Sequence, residues 1–162
     1  MRKLHLYIET SVWSHWYADD TPERRDETRA FLRRCAAAPD DVVLYISRAV
    51  LDELAATPAE RGEQLLGLVT ELDPVVVESS SEADDLVAAY LSHGAMPPGS
   101  LVDAMHAALA TVHGVDVLVS WNCRHLANLS RRRKINAVNA VMGYAGNLDI
   151  LTPMEIFEDA HQ

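Results

Sequence analysis

Leu101-Val-Asp-Ala-Met-His-Ala-Ala-Leu-Ala-Thr-Val-His-Gly-Val-Asp-Val-Leu-Val-Ser-Trp-Asn-Cys-Arg-His125 is the stretch that decides the fold. Its first half repeats small and apolar residues at helical spacing, and Gly114 ends that helix. Val115 to Val119 then reads as a short strand buried on both faces, with Asp116 tolerated near its start. Asp103 falls in the first turn of the helix and Asn122 just beyond the carboxyl end of the strand. In an open α/β sheet, ligands bind at that end.

The same alternation runs outward through the chain. Leu4–Ile8, Val42–Ile46, Pro74–Val77 and Leu148–Leu151 read as further short strands. Between them lie helical stretches: Ser11 to about Ala18, Pro22 to about Ala38, Arg48–Ala56, Pro58–Leu72, Glu82 to His93, and one from Arg131 to about Tyr144. Ser47 is placed to cap the helix from Arg48, and Ser100 with Asp103 resembles a capping pair for the central helix. Thr152-Pro-Met-Glu155 carries the start signal of a last helix. Strands alternating with helices predict an α/β fold of three layers, α/β/α, with a central parallel sheet of about five strands and right-handed crossovers.

Composition narrows the function. At 162 residues, 49% hydrophobic and 23% charged, the chain is expected to fold as one domain over 1–162 without disulfides or a structural metal. A net charge of −10 argues against an extended basic nucleic-acid footprint; Arg131-Arg-Arg-Lys134, preceded by Arg124, is the one concentrated basic run. Cys35 and Cys123 form no C-x-x-C pair, and a reducing cytoplasm is the expected setting. The amino-terminal apolar run is too short for a signal peptide, and no stretch approaches a membrane span. Neither G-x-G-x-x-G nor G-x-x-x-x-G-K-[ST] occurs, which ranks a nucleotide-binding domain last; the missing G-x-S-x-G elbow does the same for a serine hydrolase.

The strand ends supply the chemistry. Glu9 follows the first strand, Glu53 lies on the helix after the second, Asp103 on the helix entering the fourth and Asn122 just past it. With no basic partner nearby, three gathered carboxylates repel one another by several kcal/mol, so their convergence predicts a hard divalent cation, Mg²⁺ or Mn²⁺. Such an ion suits phosphodiester hydrolysis. Thr10, Ser11 and Ser120 are small hydroxyls beside the expected site, and Arg124 and His125 stand where they reach a scissile phosphate or the Asn122 amide. His106 shares a helix face with Asp103 but reads first as a core residue; Asp52 competes with Glu53 for the site. Asp116 and Cys123 are expected to be structural, and Trp13, Trp16 and Tyr17 to form core or dimer surface.

Tyr7-Ile-Glu-Thr-Ser-Val12, Ser47 with Glu53, Val102-Asp-Ala-Met-His-Ala-Ala-Leu-Ala110 and, most specifically, Val119-Ser-Trp-Asn-Cys-Arg-His-Leu126 resemble the PIN-domain family, in the branch similar to VapC toxins of toxin–antitoxin modules. The resemblance implies a metal-dependent endoribonuclease acting on RNA, a homodimer, and inhibition by a small antitoxin protein. It places the catalytic and metal-binding roles on Glu9, Glu53, Asp103 and Asn122. The family more often has aspartate at the first and fourth of these places; Glu9 is one methylene longer, and Asn122 removes a negative charge. Asn122 and the acidic surface define the alternative expectation, a catalytically weak PIN-like module that binds RNA or a protein partner.

Overall fold

Apolar runs too short for helices become the strands, and the amphipathic stretches between them become the covering layers. The computed structural model describes residues 2–157. In chain order the elements are β1 (Leu4–Ile8), α1 (Thr10–His15), α2 (Pro22–Ala37), β2 (Val42–Ser47), α3 (Arg48–Ala55), α4 (Ala59–Leu72), β3 (Val75–Val77), α5 (Ser81–Ser92), α6 (Leu101–Val112), β4 (Val117–Val119), α7 (Leu129–Val141) and β5 (Asp149–Leu151).

The five strands form one sheet in the order β3-β2-β1-β4-β5. Every pairing is parallel; Leu6 of β1 aligns with Leu44 on one side and Val117 on the other. Leu6, Tyr7 and Ile8 are all buried, as are Val117, Leu118 and Val119. Successive residues of a strand point to opposite faces, so both faces of the sheet are covered. Right-handed crossovers place α1 to α4 on one face and α5 to α7 on the other. The packing agrees: α1 touches α2, α3 and α4, while α5 touches α6 and α7. This is the expected three-layer α/β/α fold.

Local differences from the sequence reading have identifiable causes. β4 starts at Val117 because the Asp116 carboxylate accepts the His5 backbone N–H at 2.8 Å and an Arg2 N–H at 2.9 Å, which ties down the strand entry. Ser47 caps α3 as expected, accepting from the Val50 N–H at 3.2 Å. The expected capping pair of Ser100 and Asp103 does not form: Ser100 makes no side-chain cap bond. Asn128, not expected in this role, caps α7 by accepting the Arg131 N–H at 2.8 Å, so that helix begins at Leu129. Glu155 accepts from the backbone N–H and the hydroxyl of Thr152, at 2.7 and 3.0 Å, but residues 153–157 form turns, and any continuation lies outside the described residues. Trp13 is core, its indole N–H donating to the Ile8 carbonyl at 3.1 Å. Trp16 and Tyr17 are partly buried against the guanidinium groups of Arg29, Arg33 and Arg61. Among the described residues no helix is long and apolar enough to cross a membrane.

Candidate active site

β1 has β2 on one side and β4 on the other, so the chain winds outward in opposite directions from the junction of β1 and β4. Such a reversal opens a crevice beyond the carboxyl ends of the strands, where α/β sheets bind ligands. Glu9 lies at its mouth. Its backbone N–H donates to the Val119 carbonyl at 3.1 Å, and its extended conformation carries the chain from β1 into α1.

The Glu9 side chain is only 7% exposed. Its Oε2 accepts from the Ser120 hydroxyl at 2.8 Å and from the Ser11 hydroxyl. These two serines also accept backbone N–H groups, Ser120 from Asn122 and Ser11 from Trp121, each at 2.9 Å. The segments 9–11 and 120–122 are thereby stitched together around one carboxylate. Both hydroxyls address the same oxygen, which leaves Oε1 for another partner.

Asp103, partly buried in the first turn of α6, accepts from Asn122 Nδ2 at 3.3 Å. Asn122 Oδ1 accepts the His125 backbone N–H at 3.1 Å. Only the amide oxygen can accept that bond, so the orientation of the amide is fixed, with its NH₂ toward Asp103. Glu9, Ser120, Asn122 and Asp103 thus form one connected chain of hydrogen bonds.

Glu53 reaches the site from α3, with its Oε1 3.4 Å from His106 Nε2 of α6. The expectation of carboxylates without a basic partner is corrected here, because His106 faces Glu53. That contact, more than any other, holds the Glu53 carboxyl below the usual glutamate range, and partial burial opposes the effect. At 3.4 Å the contact is longer than an ideal hydrogen bond. Asp52 is exposed on the same helix.

The other candidates are scattered. Thr10 Oγ1 is buried with no partner at hydrogen-bond geometry. Arg124 and His125 are exposed, and His125 meets Asn122 through its backbone N–H. The basic run is divided: Arg131 donates to the Ala95 carbonyl, Arg132 stands 3.9 Å from Asp149, and Arg133 and Lys134 are exposed.

Tyr7 and Ser47 join the site without having been singled out as one unit. The buried Tyr7 hydroxyl donates to Ser47 Oγ and faces His106 Nδ1, both at 2.7 Å, and burial pushes its pKa well above the usual tyrosine value. The sequence signal was a tyrosine among aliphatic residues in a buried strand, because its hydroxyl must find a partner there.

Among the described residues no group of three or more His, Cys, Asp or Glu side chains is placed to hold a metal ion. As arranged, Glu53 turns to His106 and Asp103 to Asn122. In donor chemistry the carboxylates suit a hard divalent cation, since they offer oxygen and Glu9 Oε1 is left over.

The sequence pattern of the PIN domain family matches residues 6–130. This chain belongs to the PIN domain family. No curated protein matches it. Its fold is similar to that of VapBC2 from Rickettsia felis, solved bound to a DNA fragment from their promoter, at 14% identity and a TM-score of 0.59, covering 92% of this chain and 98% of that one. It is also similar to Mycobacterium tuberculosis VapC20, described as a Sarcin-Ricin loop cleaving toxin, at 15% identity and a TM-score of 0.54, covering 86% and 96%.

Proposed function

We propose that this protein is a metal-dependent endoribonuclease that hydrolyses RNA phosphodiester bonds, acting as the toxin of a toxin–antitoxin pair. Glu9 carries this reading: it is a buried carboxylate at the sheet's reversal point, held through one oxygen by two serines and open at the other. Family membership supports nuclease chemistry, and the two solved structures support the toxin role, one being described as a Sarcin-Ricin loop cleaving toxin and the other as VapBC2 bound to a promoter DNA fragment. A small antitoxin partner, a homodimer and a cytoplasmic setting belong to the same proposal; two unpaired cysteines suit a reducing compartment.

Glu9, Glu53 and Asp103, with Asn122 beside them, are the residues that would hold Mg²⁺ or Mn²⁺. Such an ion, when bound, lowers the pKa of water and neutralises charge on a phosphoryl oxygen. The chain's own groups do the positioning. Ser11 and Ser120 fix Glu9, the Asn122 amide donates to Asp103, and Arg124 and His125 stand on the exposed loop, where they would meet a phosphate backbone.

A second reading, a catalytically weak module that binds RNA or protein, is favoured by the absence of a three-ligand cluster among the described residues. End-labelled RNA incubated with Mn²⁺ separates the two. The nuclease reading expects cleavage that stops with chelator and in Asp103→Ala; cleavage that survives both rules it out, and RNA binding without cleavage selects the weak module.

A further inference from the structure

The sequence presents His106 as an ordinary core histidine on an alanine-rich helix, and it is indeed 1% exposed. Its two ring nitrogens have different surroundings. Nδ1 lies 2.7 Å from the Tyr7 hydroxyl, which in turn donates to Ser47 Oγ, the cap of α3. Nε2 is buried with no partner at hydrogen-bond geometry, and the acidic oxygen it meets is Glu53 Oε1 at 3.4 Å. A buried ring nitrogen without a hydrogen-bond partner is costly, and the Glu53 carboxylate is the acidic group standing next to it. The Glu53 side chain is 40% exposed, and His106 is the residue of the α5 to α7 layer that meets its carboxylate.

We infer that His106 is a positioning residue that holds the Glu53 carboxylate at the metal-binding end of the sheet, with Tyr7 and Ser47 fixing the imidazole. The inference rests on the nuclease reading for what Glu53 does, but not for the contact itself. Ser47 belongs to β2 and caps α3, Tyr7 belongs to β1, and His106 belongs to α6, so the relay joins four elements and both helical layers behind one carboxylate. Outer partners of this kind orient metal-ligating groups, and removing them costs about 10- to 100-fold in metal affinity.

The experiment is a double-mutant cycle between His106→Leu and Glu53→Gln in the full chain, read by urea unfolding of metal-free protein and by Mn²⁺ titration calorimetry. His106→Leu keeps the site apolar and filled, and His106→Gln restores a donor near the Nε2 position. The expected result is coupling of about fivefold or more between the two positions in the unfolding equilibrium. Mn²⁺ binding should weaken about tenfold in His106→Leu, recover in His106→Gln, and change less than twofold when His106→Leu is added to Glu53→Gln. Additive effects in both measurements overturn the inference. If wild type shows neither Mn²⁺ binding nor RNA cleavage, the nuclease reading fails while the unfolding cycle still decides whether His106 holds Glu53. If His106→Leu does not fold, His106→Asn, which keeps a polar group near the Nδ1 position and none near Nε2, supplies the same cycle.

Discussion

Asn122 gives its amide N–H to Asp103 at 3.3 Å and its amide oxygen to the His125 backbone at 3.1 Å, so it faces the acid of α6 as a donor. An aspartate here would bring two carboxylates together, and this chain relieves that repulsion with a neutral partner. The asymmetry of the amide makes the arrangement testable.

Asn122→Asp should destabilise the metal-free protein by about 1 kcal/mol through loss of the donor to Asp103. The thermal midpoint should fall by roughly 2–4 °C for a chain of this size, and added Mn²⁺ should restore it. An unchanged midpoint in chelator would show that the amide does not support Asp103.

Ser120→Ala removes one of two hydroxyls from a carboxylate that is nearly buried. The expected loss is about 1.5 kcal/mol, the low end for a hydrogen bond to a charged group, because Ser11 still donates. Chemical denaturation measures this directly, and a loss below experimental error would contradict the geometry.

The depressed carboxyl of Glu53 fixes the sign of a pH effect. A carboxylate titrating lower in the folded chain than in the unfolded chain contributes stability above its unfolded value, and that contribution is lost as pH falls through the folded value. Metal-free wild type should therefore lose stability below the ordinary glutamate value of 4.5 more steeply than Glu53→Gln. Parallel pH profiles of the two proteins would remove the His106 contact from the account.

The cysteines should separate kinetically. Cys35 is buried, and burial pushes its thiol up to about 12, whereas Cys123 is exposed. Burial keeps Cys35 in its thiol form and out of reach, so a thiol reagent at about pH 8 should modify Cys123 quickly and Cys35 only on unfolding. Two equally fast thiols would be inconsistent with the packing of α2.

Most of the layering was legible in the sequence because the apolar run Val42–Ile46 and the helix–glycine–strand stretch from Leu101 follow local rules of periodicity and capping. Residue placement at the strand ends was legible too, since topology alone puts Glu9 and Asn122 beyond β1 and β4. Side-chain pairing was not. Ser100 looked like the natural cap of α6, but Asp103 instead meets Asn122, 19 positions away. His106 read as core because its partners, Tyr7 and Glu53, come from β1 and α3, and no local pattern announces a contact across layers.

The most direct measurement is cleavage of single-stranded RNA in Mn²⁺ by wild type and Glu9→Gln, side by side. Gln keeps the size of Glu9 and an acceptor for Ser120, so the fold should persist while the charge is lost. The account predicts that wild type cleaves and that Glu9→Gln is slower by about two orders of magnitude or more, the scale on which a metal-centred charge acts. Equal cleavage by the two proteins would contradict it.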